Sequence, residues 1–329
     1  MSVHRIAIVE PLMSHRRSGG CLYNTSVAEA DDSLMQITCD SLEELLALPQ
    51  DRILLDTLWI DREPADRWLE AARATPDRFW LLAHYFPPDN PLIPTDVWGS
   101  WLRNCRKWLP ILRGVVTVGA RAKRSWQAVA PDLPVYVVQP AVPEVGGHCP
   151  PESGPSQIIT VGSLSPAKFP LDTLDHIRRL EGLDWRWQIF GIWNTGDPHW
   201  GAVRARVARH NIGSRLDFIG HRTHSDVLGA LRNAHVYVGP SLFESFGMAT
   251  AEAFSVGTPS LVFDVGEVNQ WRRPGDPHRV FGVGDWDGMF GTLHSWLDHG
   301  RKRLPAGSCP PIFDRDWRQV AEKLIASIS

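Results

Sequence analysis

One stretch, residues 236–259, constrains the fold of this chain more than any other. It reads VYVGPSLFESFGMATAEAFSVGTP. A short β-branched and aromatic run stops at Pro240 and Ser241, and a run of good helix formers then ends at Gly257, with Pro259 just beyond. This order predicts a buried parallel strand, a short loop and a helix, which is the repeating unit of an α/β fold.

The start of the predicted helix, near Phe246 and Gly247, is a candidate anion site. The first N–H groups of a helix have no partner within the helix, and the helix dipole places partial positive charge beside them. A glycine also lets a phosphate approach the backbone closely. We therefore expect a phosphate group to bind at this position.

Two carboxylates, Glu244 and Glu252, stand eight positions apart around this helix start. At about 100° per residue they would not share a helix face, so each is expected to contact a different part of one extended ligand. The alternative is that Glu244 is a cap or first-turn acid and Glu252 is solvated surface. The apolar neighbours of Glu252 favour a hydrogen-bonded carboxylate there, because an unpaired buried charge is costly.

The pattern P-S-x-x-E-x-F-G-x-x-x-x-E-A-x-x-x-G-x-P, from Pro240 to Pro259, resembles the donor-site signature of the retaining family 4 glycosyltransferases. The resemblance covers most of residues 158–266 and, loosely, the first half of the chain. It implies an α/β fold of the GT-B type, with two facing Rossmann-like parallel-sheet domains and a C-terminal crossover helix. It also implies hexosyl transfer from a UDP- or GDP-linked sugar to an acceptor hydroxyl, with retention and without a metal or other cofactor.

The length of 329 residues suits two domains of roughly 150 residues each. We predict an N-terminal acceptor-side domain over residues 1–150 and a nucleotide-sugar-binding domain over residues 156–312. The Gly- and Pro-rich residues 145–156 are the predicted linker. The resemblance implies that a helix over residues 314–329 packs back on the first domain.

Composition narrows the class of protein further. A net charge of -3 with 22% charged residues argues against a general nucleic-acid binder. Five scattered cysteines without a C-x-x-C argue against a disulfide framework or a zinc site. No apolar stretch approaches the ~18 residues of a membrane span and no signal sequence is recognised, so a cytoplasmic protein is expected.

A basic, tryptophan-bearing amphipathic helix is predicted over residues 96–112. Such a helix could lie on an anionic membrane surface. A helix that covers the sheet of the first domain is the favoured alternative. Most of the 15 tryptophans are likewise expected to fill cores, although aromatic faces also stack on sugars.

Two features of the first domain lie where parallel strands are expected to end. Gly19 and Gly20 precede a predicted helix over residues 21–30, and His84 directly follows a predicted strand over residues 79–83. Another strand is predicted over residues 53–59, and a helix over residues 63–74, with Pro64 in its first turn, is predicted between these two strands. Open α/β sheets bind ligands at this edge. The resemblance implies that the glycine pair lies against the donor phosphates and the acceptor, and that His84 lies against the donor sugar. A plain turn and a structural histidine are the alternatives.

Lys168 follows the first predicted strand of the second domain, residues 158–161. The resemblance implies that this lysine and an arginine neutralise the donor diphosphate. However, Ser163 occupies the place of the arginine, and Phe169 stands where glycine is usual. Either Ser163 hydrogen-bonds the phosphate, or Arg16 and Arg17 supply the cation, or catalysis is impaired.

The resemblance assigns roles to twelve residues. Glu244, Lys168 and His84 are the candidate catalytic residues, with Glu244 orienting the donor sugar. Glu252 is expected to bind the ribose. The candidate donor- and nucleotide-binding residues are Gly19, Gly20, Ser163, Arg222, Ser245, Phe246, Gly247, Met248 and Glu252.

The resemblance implies that the backbone after the predicted strand at 216–220 receives the nucleotide base, so His221, Arg222 and Thr223 are base-side candidates. His221 and His224 are not expected to bind a metal, because no carboxylate or cysteine completes a cluster at ligand spacing.

Two other functions remain open from the sequence. A non-catalytic homologue that binds nucleotide or glycan beside a partner transferase is favoured by Ser163 and opposed by the intact Glu244 and Glu252. A nucleotide-sugar epimerase or hydrolase of the same fold is the second. A nicotinamide oxidoreductase is disfavoured, because no G-x-G-x-x-G follows the first strand. The expected partners are a nucleotide sugar and a carbohydrate or small-molecule acceptor.

Overall fold

The computed structural model describes residues 6–12, 19–75, 77–142, 147–273, 275–298 and 315–329. The chain forms two compact units. The first contains Met1–Ala141 together with Arg315–Ser329, and the second contains Val142–Asp314. The division therefore falls a few residues before the predicted linker at 145–156.

The first unit is built on a six-stranded parallel sheet in the order β2-β1-β3-β4-β5-β6. Its elements alternate between strands and helices along the chain. They are β1 (Ile6–Pro11), α1 (Gly19–Ala30), β2 (Leu34–Cys39), α2 (Leu42–Ala47), β3 (Arg52–Asp56), α3 (Asp66–Arg73), β4 (Phe79–Ala83), α4 (Thr95–Trp108), β5 (Leu112–Thr117), α5 (Ala120–Val129) and β6 (Val135–Val137). The chain leaves β1 to one side for β2 and returns to the other for β3. The strand order thus reverses between β1 and β3, where such sheets bind ligands.

Tryptophans fill much of the core of this unit. Trp59, Trp108 and Trp126 are fully buried. The indole N–H groups of Trp59 and Trp108 donate to backbone carbonyls, each at 3.0 Å, which satisfies a polar atom inside an apolar core. Helix α4 places Trp101, Cys105 and Trp108 in this core, so it covers the sheet.

The second unit holds another six-stranded parallel sheet, in the order β12-β11-β10-β7-β8-β9. Its elements alternate as well, except that only a 3-10 helix, Val268–Gln270, lies between β11 and β12. They are β7 (Ser156–Val161), α6 (Asp172–His176), β8 (Trp185–Phe190), α7 (Pro198–Arg209), β9 (Leu216–Gly220), α8 (His224–Asn233), β10 (Val236–Gly239), α9 (Met248–Val256), β11 (Ser260–Phe263), β12 (His278–Phe281) and α10 (Trp286–Asp298). Here the order reverses between β7 and β10.

The last helix, α11 (Trp317–Ile328), belongs to the first unit. Asp316 begins it with a reciprocal capping box to Gln319. The helix packs against α1, and the Trp317 ring meets the Tyr23 ring edge-on at 5.7 Å between centroids. The C-terminal segment thus covers the helix that follows the first strand.

Several predicted boundaries are wrong. The strand predicted at 53–59 ends at Asp56, because the Asp56 carboxylate accepts from the Leu58 N–H and starts a 3-10 helix over Thr57–Asp61. Gly19 and Gly20 lie in the first turn of α1 and not in the loop before it. Helix α3 begins at Asp66, beyond Pro64, which was predicted in its first turn. Arg16 and Arg17 lie outside the described residues.

Within the described residues, no helix is both long and apolar enough to cross a membrane. Contact of α4 with a membrane surface stays a prediction.

Candidate functional site

The N-terminus of α9 is shaped by two glycines. Gly247 is the N-cap residue with φ 102°, a left-handed conformation that favours glycine, and α9 begins at Met248, two residues later than predicted. Gly266 also has a positive φ of 61°, and a Cβ added to it would lie 2.3 Å from the Phe246 carbonyl oxygen. The next residue, Glu267, donates its N–H to that oxygen at 3.0 Å. The loop after β11 therefore closes tightly on the loop before α9.

Lys168 and Glu244 form an ion pair beside this helix start. The Lys168 Nζ lies 2.5 Å from Glu244 Oε2 and donates to the Phe243 carbonyl at 3.0 Å. The Leu242 N–H donates to the Ala167 carbonyl at 2.7 Å, which joins the loops that carry the two charges. An ammonium has three N–H groups. Within the described residues these contacts use two of them, so the third is available to a ligand oxygen.

Glu252 is buried and hydrogen-bonded. Its side chain is 6% exposed, and its Oε1 lies 2.9 Å from Nε2 of His224 on α8. The alternative of a solvated surface acid is therefore wrong, and His224 supplies the partner that the apolar surroundings require. The hydrogen bond to Glu252 raises the pKa of His224, and the negative charge of Glu252 adds to this against the effect of burial.

The His224–Glu252 pair predicts a pH-dependent stability. A raised folded-state pKa means that the stabilisation is fully present below the unfolded pKa of about 6.5 and is lost as pH rises through the folded pKa. We expect wild type to exceed His224→Gln in free energy of unfolding by up to about 1 kcal/mol at low pH and by less at high pH. The gain is small because the His224 side chain is 38% exposed and solvent screens its charge. Urea unfolding at pH 5.5 and pH 9 measures the difference. His294→Gln on α10 is the control, and an equal difference at both pH values would contradict the pairing.

The other predicted donor-side residues occupy varied positions. Ser163 is half-buried, and its hydroxyl lies 3.3 Å from that of Ser165. The Phe169 ring is buried in the core of the second unit, so it does not fill the space beside Lys168. Arg222 is exposed and donates to the His221 carbonyl at 2.9 Å. Thr223 caps α8 in a reciprocal box with Asp226, which commits its hydroxyl to the helix start.

Three further candidates border α9. Ser245 and Met248 are half-buried, while the ring of Phe246 is buried against Trp271 at 5.0 Å. The Phe246 side chain therefore belongs to the core.

These residues gather at one edge of the second sheet. The loops after β7, β10 and β11 are joined by the contacts above, and a Cβ on Gly191 after β8 would lie 1.8 Å from the Gly162 carbonyl oxygen. The four loops thus converge at the carboxyl ends of neighbouring strands around the β7/β10 reversal. Within the described ranges, no group of three His, Cys, Asp or Glu side chains is placed to hold a metal ion.

The first unit carries a separate polar cluster, made of Glu10, Asn24, Asp56 and His84. Glu10 is the last residue but one of β1 and Asp56 is the last residue of β3, on the two sides of the strand-order reversal, and Asn24 is fully buried on α1. Asn24 Nδ2 lies 2.5 Å from Glu10 Oε1 and 3.1 Å from Asp56 Oδ2. His84 Nε2 lies 2.7 Å from Asn24 Oδ1.

Only His84 of this cluster was predicted from the sequence. Glu10 and Asp56 could have been found as carboxylates that end apolar strands, whereas Asn24 carries no comparable signal. Burial raises the pKa of Glu10, to which the Asp56 charge adds. Burial lowers the pKa of His84 against the opposing effect of Asp56.

The His84 ring lies so close to Gly20 that a side chain at position 20 would press on it. A Cβ on Gly20 would lie 3.1 Å from both Cδ2 and Cγ of the His84 ring, whereas one on Gly99, within α4, would meet only Arg103 Nη1 at 3.9 Å. Gly99→Ala should therefore raise the free energy of unfolding by about 1 kcal/mol through helix propensity, and Gly20→Ala should fail to do so because it presses on His84. Urea unfolding of the two variants tests this, and equal stabilisation would show that the ring yields freely.

The architecture of two parallel six-stranded sheets with flanking helices is that of the GT-B glycosyltransferases. A solved structure from Anabaena, Alr3699/HepE in complex with UDP and glucose, superimposes with a TM-score of 0.76 over 99% of each chain at 12% identity. This likeness confirms the predicted fold class.

Residues 150–306 match the family described as "Glycosyl transferases group 1". A glycogen synthase of Mycobacterium tuberculosis (strain ATCC 25618 / H37Rv) is 26% identical over 174 residues, which are 52% of this chain and 42% of that protein. A GDP-mannose-dependent alpha-(1-6)-phosphatidylinositol dimannoside mannosyltransferase of M. tuberculosis (strain ATCC 25177 / H37Ra) is 34% identical over 113 residues, 33% of this chain and 28% of that protein. The chain thus spans less than half the length of these curated relatives. The matches confirm the resemblance to this class of transferases.

Proposed function

We propose that this protein is a retaining glycosyltransferase that moves a hexosyl group from a UDP- or GDP-linked sugar to an acceptor hydroxyl without a metal ion. The observation that carries the proposal is the Lys168–Glu244 pair beside the uncapped, glycine-started N-terminus of α9. The group 1 family match and the UDP and glucose bound by the Anabaena protein support a nucleotide-sugar donor.

The arrangement suits the charges that develop in such a reaction. Breaking the anomeric bond creates positive charge on the sugar and negative charge on the leaving diphosphate. The third N–H of Lys168 and the backbone N–H groups of Gly247 and Met248 would receive the diphosphate. The second oxygen of Glu244 would hold a sugar hydroxyl.

Glu252 would bind the ribose. Its Oε1 is engaged by His224, so Oε2 is the oxygen that can accept from a ribose hydroxyl. The hydrogen bond from His224 would also keep the carboxylate in place before the nucleotide arrives. In this proposal the departing phosphate helps to deprotonate the acceptor on the same face of the sugar.

One observation favours a second candidate, a non-catalytic nucleotide- or glycan-binding partner of another transferase. Ser163 replaces an expected arginine, and the charge of Lys168 is already matched by Glu244. The loop after β7 therefore offers the diphosphate less positive charge than the family resemblance implies. Arg16 and Arg17, the alternative cations, lie outside the described residues.

Product analysis separates the candidates. The protein is incubated with UDP-glucose or GDP-mannose and a set of sugar acceptors in the presence of a chelator, and products are followed by mass spectrometry and by NMR of the anomeric proton. A glycosylated acceptor of retained configuration supports the proposal. An inverted product would contradict retention, and a metal requirement would contradict metal independence. A free epimerised sugar, or binding without turnover, would contradict transfer to an acceptor.

A further inference from the structure

The orientation of the Asn24 amide follows from its neighbours. Its Nδ2 lies within hydrogen-bonding distance of carboxylate oxygens of both Glu10 and Asp56. An ionised carboxylate can only accept hydrogen bonds, whereas the amide nitrogen can only donate. The NH2 group must therefore face the two acids, and Oδ1 must face His84.

This orientation decides which nitrogen of His84 carries the proton. Asn24 Oδ1 can only accept, and it lies 2.7 Å from His84 Nε2, so Nε2 must be the N–H. In the neutral ring the other nitrogen, Nδ1, then carries a lone pair. The His84 side chain is 11% exposed, and its neutral form is favoured by this burial.

The His84 ring has three neighbours in the first unit. A Cβ on Gly20 would lie 3.1 Å from Cδ2 and Cγ, Asn24 binds Nε2, and the Tyr23 ring forms a T-shaped contact at 5.1 Å between centroids. Nδ1 is the ring nitrogen that Asn24 does not bind, and within the described part of the chain no hydrogen bond is formed to it. The backbone N–H of His84 donates to Thr57 Oγ1 at 2.9 Å, which fixes the start of the loop that carries the ring.

We propose that Asn24 is a positioning residue that holds His84 in the Nε2–H tautomer, so that Nδ1 accepts a hydrogen bond from a hydroxyl of the sugar substrate. The inference deepens the proposed function and rests on it, because it requires a hydroxyl-bearing substrate at the first unit. A ring held in this way has a lone pair and no N–H on its ligand side. His84 therefore selects a hydroxyl and does not bind a phosphate oxygen.

The first test is made without substrate. In protein labelled with 15N-histidine, two-bond correlations from the ring protons assign the tautomer, and His84→Gln identifies the His84 signals. We expect a neutral ring with the proton on Nε2 at pH 7. A proton on Nδ1, or an imidazolium at that pH, would overturn the proposal. Because no turnover is needed, this result is independent of whether the protein transfers a sugar.

The second test removes the donor side of Asn24. In Asn24→Asp a third carboxylate joins Glu10 and Asp56, of which Asp56 lies 3.8 Å from His84 Nε2, while Tyr23 packs on the ring as before. We expect the pKa of His84 to rise and the acidic limb of the kcat profile to move to higher pH by about one unit, because a carboxylate partner favours the imidazolium. Asn233→Asp, at an exposed position on α8, is the matched control.

A merely structural role for Asn24 would lower stability or folded yield without moving the His84 titration or the pH profile, and that outcome would also overturn the proposal. The ligand is tested with UDP-glucose and GDP-mannose against UDP and GDP. A change in the His84 Nδ1 signal with the nucleotide sugars alone supports binding of a sugar hydroxyl. A change of equal size with the nucleotides alone would assign His84 to the phosphates and contradict the inference.

Discussion

Replacing Lys168 with alanine should slow sugar transfer by about 100- to 1,000-fold while leaving nucleotide affinity much less affected. A fixed donor aimed at a developing negative charge has an effect of this size on kcat in other enzymes. Two N–H groups of Lys168 are engaged by Glu244 and by the Phe243 carbonyl, which fixes the ammonium in place. The third would strengthen its contact as charge moves onto the leaving diphosphate.

The Lys168→Ala measurement needs two controls. Lys323→Ala removes an exposed lysine on α11 and should leave kcat unchanged. Glu244→Gln keeps the lysine but removes the charge of its partner. Thermal unfolding of Lys168→Ala and of Glu244→Gln is compared with that of wild type, so that a loss of stability is not mistaken for a loss of catalysis. Steady-state kinetics with the donor identified by product analysis gives kcat and KM separately. A loss confined to KM would show that Lys168 binds the ground state and the transition state equally.

Replacing Glu252 with alanine should weaken nucleotide binding tenfold or more, which is about 1.4 kcal/mol. The carboxylate is buried and its position is fixed by His224, so the ribose would lose an oriented hydrogen-bond acceptor. Calorimetric titration of UDP, GDP, ADP and TDP into wild type and variant measures the loss and also identifies the base. Glu322→Ala, an exposed acid on α11, should bind as wild type does.

The two variants together test the separate roles of the residues. Equal losses of kcat and of affinity in both would contradict a division between transfer and binding. If none of the four nucleotides binds the wild-type protein at micromolar concentration, the resemblance reports the fold alone. The non-catalytic partner then becomes the better hypothesis.

Much of the fold was predictable because parallel strands buried on both faces read as short apolar runs. Strand β4 has the predicted bounds of residues 79–83, and α9 ends at Gly257 as predicted. The strand predicted at 53–59 was wrong because Thr57–Asp61 continues the apolar run as a 3-10 helix. Strand β2 was not predicted, since its sequence LMQITC is partly exposed and mixes polar with apolar residues.

The contacts of the candidate sites were less predictable than their residues. Glu252 was expected to need a partner, but nothing in the sequence pointed to His224, which is 28 positions away on another helix. Likewise, the residues around His84 come from β1, α1 and β3. Only the fold brings these segments to one edge of a sheet. The spacing of the residues along the chain therefore could not predict that they form a cluster.

The packing of Trp317 on Tyr23 has a consequence for the order in which the protein is completed during synthesis. Tyr23 also lies against the His84 ring and donates its hydroxyl to the Val138 carbonyl at 3.2 Å. The ribosome makes the whole second unit between Tyr23 and Trp317. Domains usually fold as they emerge, but here α1 stays uncovered by α11 until the second unit has been synthesised. The packing around Tyr23 and His84 is therefore completed only after the whole second unit has been made, although both residues precede that unit in the chain.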